Sequence, residues 1–327
     1  MYKYSIIVPT YNAEKFIIKC AESLKNQLFK DYEVLFINDG STDDTLNILN
    51  NYIKNNKLEN FKIITKKNGG VSSSRNCGIK HAKGEFLLAV DSDDFVCEDF
   101  LTKIDAAIND KVDILIFSFY EYFNDDFKNK KIGINFVNDD IKKNAMISAP
   151  AQWNKAIRRD LFLKNNISFP SGLIYEDLGT IPKLYLLTDK IKFIDEYIYY
   201  YRQQENSIMH TFNEKIFNIY PILENLKDYY DKNDEKKKYI NELEKIFIYN
   251  IFFIVNTLGS VKYRQKLKYQ KDSIIFLKNN YPRWYKNPYL KREKIKTRLH
   301  ILIMKYNFLL PIYDLIRGMK WKRKFCL

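Results

Sequence analysis

Between residues 4 and 118 the chain alternates between short apolar runs and longer stretches whose apolar residues fall at helical spacing. Tyr4–Pro9 (YSIIVP) is an apolar, β-branched run, whereas residues 13–27 carry Phe16, Ile17, Cys20 and Leu24 on one helical face. Residues 33–39 (EVLFIND) read as a second buried strand, followed by Gly40 and then Ser41–Asp44, a helix-start signature. Residues 61–65 (FKIIT) form a third strand. Gly69–Gly70, a helical segment near 73–82 and Gly84 lead to a fourth, Phe86–Asp91, whose apolar run ends abruptly in carboxylates (FLLAVDSDD). The order βαβαβαβ with short connections predicts an α/β fold, a mostly parallel sheet covered by helices on both faces with right-handed crossovers.

From Phe212 onward helical spacing replaces the alternation. Helices are predicted at 216–229, 239–258, 263–278 and 295–310, with Pro282 and Pro288 breaking the chain between the last two. The predicted division is therefore 1–211, in two parts at about 1–118 and 119–211, and a mostly helical region at 212–327. The most apolar stretch, 246–258, is interrupted by Asn250 and Asn256 and falls short of the ~20 residues that span a bilayer.

Composition changes this picture little, but charge changes it a good deal. At 327 residues and 46% hydrophobic, the chain can bury a large core. Cys20, Cys77, Cys97 and Cys326 form no CxxC pair, which argues against a zinc site or disulfide framework and suits a reducing compartment. MYKYSIIVPTYN runs straight into a strand signal without a hydrophobic leader, so the expectation is a cytoplasmic protein. Residues 1–211 carry 28 Lys/Arg against 29 Asp/Glu, and residues 212–327 carry 26 against 11. From Lys262 to the end there are 19 basic and 3 acidic residues. Basic amphipathic helices with Phe, Tyr, Leu and Trp suit an anionic membrane surface, here the inner face of the membrane. A solvated basic face or a homo-oligomer contact is the plainer alternative, and nucleic acid is disfavoured because no readout motif accompanies the charge.

Candidate chemistry collects at the ends of the predicted strands. Asp91 and Asp93 flank Ser92, placing two carboxylates at a bend where they can hold a hard divalent cation; Asp93, Asp94 and Glu98 could instead cap the next helix. Pro9, Thr10, Tyr11 and Asp39 follow two strands to the same sheet edge, where a base and ribose could sit. Arg75, in NGGVSSSRN, either touches a nucleotide or pairs with Asp91 or Asp93; the segment lacks the lysine of a phosphate loop. Trp153, Asn154 and Lys155, just before a helical stretch, offer an aromatic face and polar groups for a sugar or acceptor, or else a buried Trp beside a solvated Lys. Glu176–Asp177 opens an apolar helix, where acids usually cap. Arg202 and Ser207 suit a diphosphate, and His210 could be a third metal ligand, a diphosphate contact or a structural histidine.

Four motifs in register carry a resemblance. SIIVPTYNAEKFIIKCAESLKNQ, VLFINDGSTDDT, NGGVSSSRNCGIKHAKGEFLLAVDSDD and GLIYEDLGTIPKLY, spanning roughly residues 3–210, resemble the family 2 inverting glycosyltransferases of GT-A fold, of the bacterial surface-polysaccharide or teichoic-acid type. The resemblance implies uracil recognition by Thr10, Tyr11 and Asp39, a ribose or sugar contact for Asp91, and Mn2+ or Mg2+ bound by Asp93, with Asp93 or Asp94 left open as principal ligand. It implies Asp177 as general base and Glu176 as an acceptor-binding neighbour. The expected reaction moves a hexose or N-acetylhexosamine from a UDP-sugar to a hydroxyl of a lipid-linked or teichoic-acid-like glycan. Two alternatives are a polyprenyl-phosphate glycosyltransferase, whose acceptor needs no base, and a catalytically silent glycan-binding scaffold at the membrane.

Overall fold

The computed structural model describes residues 2–123, 130–133, 136–203, 213–233, 236–258, 261–306 and 310. The chain divides into two compact units, one of Met1–Ala145 with Pro150–Gln204 and one of Met146–Ala149 with Glu205–Leu327.

The first unit is built on one sheet. Its strands are β1 (Tyr4–Thr10), β2 (Tyr32–Asn38), β3 (Phe61–Thr65), β4 (Phe86–Ala89), β5 (Phe95–Val96), β6 (Ile114–Tyr122), β7 (Lys130–Ile132), β8 (Lys155–Arg158) and β9 (Ile191–Arg202). Between them lie α1 (Ile17–Lys25), α2 (Thr45–Asn55), α3 (Gly70–His81), α4 (Phe100–Ala107), α5 (Ile141–Met146), α6 (Arg159–Leu163) and α7 (Glu176–Leu186). The order is β3-β2-β1-β4-β8-β6-β9-β5, with β7 on β6. β3, β2, β1 and β4 are parallel, as the alternating pattern predicts. Beyond β4 the sheet is mixed: β8 runs antiparallel to both β4 and β6, β9 is parallel to β6, and β5 is antiparallel to β9. β1, β2 and β4 are buried on both faces, β2 along its whole length, which is why they read as unbroken apolar runs; β3, at the edge, is only partly buried.

Two local features bring α3 onto this sheet. A Cβ on Gly78 would stand 2.4 Å from Ile7 Cγ2, so glycine lets the helix lie directly against β1. Gly70 sits at φ +82, which permits α3 to begin at the double glycine, three residues before the predicted start.

The second unit is helical: α8 (Ile219–Lys232), α9 (Lys236–Thr257), α10 (Tyr263–Asn280) and α11 (Ile295–Lys305), close to the four predicted segments. Its core includes Leu223, Leu226, Phe247, Ile251, Leu277 and Trp284. No helix among the described residues is long and apolar enough to cross a membrane.

Candidate active site

Parallel register delivers the site. Thr10 pairs with Asn38 and Ile7 with Ala89, so β1, β2 and β4 all end at one edge, and the next residues are Tyr11, Asp39 and the Asp91–Asp94 turn. In open α/β sheets that edge is where ligands bind.

At the first end, Tyr11 is half exposed while Thr10 is buried, its hydroxyl donating to Val8 O at 2.9 Å. Pro9, the last residue of β1 but one, is only partly buried. The Asp39 carboxylate is buried; it accepts from the Gly69 amide at 3.0 Å and the Gly70 amide at 2.7 Å and pairs with Lys66. Asp39 therefore anchors the start of α3, where unpaired amides and the helix dipole favour a carboxylate. Lys66 was not singled out by the sequence, because nothing in TKKN marks it apart from its neighbours.

At the Asp91–Asp94 turn the acids have different tasks. Asp94 is buried, and its two oxygens accept from the Tyr199 hydroxyl at 2.6 Å and the Arg202 amide at 2.7 Å. Tyr199 Oη in turn accepts from the Asp91 amide at 3.2 Å. Burial first, then the neighbouring Asp93 and Asp91, push the Asp94 carboxyl well above the ordinary range. With both oxygens turned to β9, Asp94 is a structural anchor, which leaves Asp93 as the candidate ligand. Arg202 Nε donates to the Asp93 carbonyl at 2.7 Å, and its guanidinium lies over Phe16, Phe95 and Tyr122. It thereby fixes the turn, and the diphosphate role expected for it would have to be shared with that work. Ser207 and His210 lie outside the described residues.

The third component is α7, entered through Tyr175 in the left-handed region at φ 68, an uncommon conformation for a bulky residue. The helix begins on Glu176–Asp177, its N-terminus favouring both carboxylates. Arg75 Nη1 lies 2.6 Å from Glu176 Oε1 and 2.6 Å from Asp177 Oδ1, and Nη2 lies 3.4 Å from Asp91 Oδ1. One buried guanidinium thus ties the α7 acids to the β4 turn. Of the two roles expected for Arg75, the carboxylate-pairing one is seen. The other Asp177 oxygen accepts from the Gln152 amide at 3.1 Å. Burial raises the Asp177 carboxyl above the ordinary carboxylate range; Arg75 pulls against that rise, and Glu176 and Asp91 add to it.

Trp153, Asn154 and Lys155 do not form an open sugar platform. Trp153 is 7% exposed, stacked on Tyr199 and Tyr201 with centroids 4.7 and 5.1 Å away and met edge-on by Phe119. Asn154 is buried, and its amide donates to Phe117 O at 3.3 Å. Lys155 opens β8, which leads directly into α6, and is fully buried rather than solvated, donating to Ala151 O and Asn154 Oδ1 at 2.6 Å each. Burial pushes its amine down to about 7, opposed by Asp177. β8, which Lys155 opens, lies between β4 and β6, and Gln152, just before the three, donates its amide to Asp177.

A divalent cation fits the chemistry of this edge in part. Asp91 and Asp93 are hard oxygen donors on one turn and are not fully buried. No group of three His, Cys, Asp or Glu among the described residues is arranged to hold a metal.

Comparison with known proteins bears on the family and the fold. Residues 5–165 match the sequence model of glycosyl transferase family 2. Glycosyltransferase GlyG of Streptococcus pneumoniae is 30% identical over 224 residues, 63% of this chain and 73% of that protein. The poly(ribitol-phosphate) beta-N-acetylglucosaminyltransferase TarS of Staphylococcus aureus is 34% identical over 216 residues, 62% of this chain and 35% of TarS. A crystal structure of TarS residues 1–349 superposes with a TM-score of 0.73 at 25% identity, covering 98% of this chain and 93% of the other. The same fragment with UDP-GlcNAc gives 0.68 at 22%, over the same shares. The sheet and its helices are thus of the GT-A type, with a helical C-terminal region.

Proposed function

The chain belongs to glycosyl transferase family 2, and on that premise we propose that it moves a hexose or N-acetylhexosamine from a UDP-sugar, with inversion, to a hydroxyl of a lipid-linked or teichoic-acid-like glycan. The observation that carries the reading is the Arg75 bridge from Asp91 at the β4 turn to Asp177 at the start of α7. It joins the edge suited to a nucleotide-sugar to a buried carboxylate suited to an acceptor hydroxyl. The TarS fragment that shares the fold binds UDP-GlcNAc, which supports the choice of donor.

In this reading Asp177 takes the acceptor proton while the acceptor oxygen bonds to the anomeric carbon and the bond to the diphosphate oxygen breaks. A beta-linked product, as in TarS, is what single displacement at an α-linked donor gives. Arg75 opposes the burial that raises the Asp177 carboxyl, so more of it is available as carboxylate than burial alone would allow. Tyr11 faces the base, and Asp39 accepts its N–H once the α3 amides yield a lone pair. Mn2+ or Mg2+ held by Asp93, with Asp91 beside it, would neutralise charge on the departing diphosphate. Nucleotide release should be measured against UDP-, GDP-, CMP- and dTDP-sugars with and without Mn2+. Slow, metal-dependent release from one UDP-sugar, lost in Asp93→Asn, is expected; turnover of a non-uridine donor alone would overturn the assignment of the donor.

A further inference from the structure

The outer surface of α11 carries two lines of residues that do not belong together on a merely solvated helix. Its inner side buries Thr297, His300, Ile301, Ile303 and Met304. On the outside Ile295 is 84% exposed and Leu299 50%, and Tyr306, just past the last turn, is 41% exposed. At roughly 100° per residue these three fall within about 40° of one another, forming a single apolar line. Lys294 and Arg298, both exposed, fall about 60–100° to one side of it. Lys291 and Arg292, also exposed, occupy the turn that precedes the helix. Single exposed apolar residues need no explanation, but an aligned set beside a basic line does.

Charge complementarity selects the occupant. Residues 262–327 hold 19 basic and 3 acidic side chains, so the partner is anionic. A soluble polyanion would satisfy the basic line and leave Ile295 and Leu299 in water. A bilayer with anionic headgroups satisfies both, taking apolar side chains into the headgroup–acyl boundary and meeting Lys and Arg at its surface. We infer that α11 is an interfacial helix that lies on an anionic bilayer, Ile295, Leu299 and Tyr306 entering it and Lys291, Arg292, Lys294 and Arg298 contacting headgroups. The surface would hold the enzyme where a lipid-linked acceptor is presented; it goes beyond the transferase reading, and its test does not depend on turnover.

Each basic residue near such a surface contributes about fivefold in partitioning, and each aliphatic side chain buried contributes about tenfold or more. The full chain should be floated with phosphatidylcholine vesicles, with and without phosphatidylglycerol. Wild type should bind only when phosphatidylglycerol is present. Ile295→Asp with Leu299→Asp should weaken that binding by about a hundredfold or more, and Lys294→Glu with Arg298→Glu by about twenty-fivefold or more. Ile295→Leu should retain it. These positions are exposed, so circular dichroism and release of UDP from the donor should be unchanged in every variant. Failure of wild type to bind, equal binding to neutral vesicles, or insensitivity to the aspartates would overturn the inference. Binding to soluble polyphosphate that survives the aspartates, without vesicle binding, would overturn it in favour of a polyanion.

Discussion

Arg75 Nη1 stands 2.6 Å from Asp177 Oδ1, so the candidate general base is held by a cation that also reaches Asp91 at the opposite component of the site. Removing one partner from a buried ion pair strands the other, at about 3–5 kcal/mol. The pair therefore has consequences for both stability and pH dependence.

The acid limb of kcat/KM should move in opposite directions in two variants. Burial and Glu176 raise the Asp177 carboxyl and Arg75 lowers it. Glu176→Gln removes a like charge, so the limb should shift to lower pH. Arg75→Gln removes the cation, so the limb should shift to higher pH, with a loss of stability as well. Steady-state pH profiles of the two variants check this; shifts in the same direction would contradict the electrostatic account.

The two adjacent aspartates should separate cleanly. Asp94→Leu orphans the Tyr199 hydroxyl and the Arg202 amide, at about 1–3 kcal/mol for each unsatisfied group, whereas Asp94→Asn keeps one of the two acceptors, for the Arg202 amide, and turns an NH2 toward the Tyr199 hydroxyl, so it should cost less than Asp94→Leu. Asp93→Asn should abolish metal-dependent turnover and cost less stability than Asp94→Leu. Chemical denaturation and donor hydrolysis, measured on the same three proteins, test the division.

Lys155 should leave a signature in stability against pH. Its amine is pushed down to about 7 in the folded chain, against about 10.4 when unfolded. Between those values the unfolded chain binds more protons, so stability contributed by this site rises with pH. Lys155→Met removes the titration. Its unfolding free energy relative to wild type should fall steadily from pH 7 to pH 10 and hold constant below pH 7; a pH-independent difference would contradict a deeply buried, depressed amine.

What could be read from the sequence followed how locally each feature is determined. β3 was legible with its observed bounds because FKIIT is short, apolar and bounded by polar residues. β8 was not: KAIR carries two basic residues, and a fully buried lysine defeats the expectation that Lys stays in water. Trp153 looked like a sugar platform because its partners Tyr199 and Tyr201 lie over forty residues away. In the same way DSDD could not reveal which acid is the anchor, since that is decided by Tyr199 and Arg202 on β9. The helices of the second unit were visible through their spacing, but the outward apolar line on α11 needed exposure to be known.

Asp177 is the residue on which the account turns. With the turned-over UDP-sugar and a hydroxyl acceptor in hand, transfer and UDP-sugar binding should be measured in parallel for wild type and Asp177→Asn. The account predicts transfer reduced by about 10²–10⁴-fold with donor affinity kept within about threefold, the split expected of a base that acts only in the transition state. Undiminished transfer in Asp177→Asn, or an equal loss of donor affinity and transfer, would contradict it.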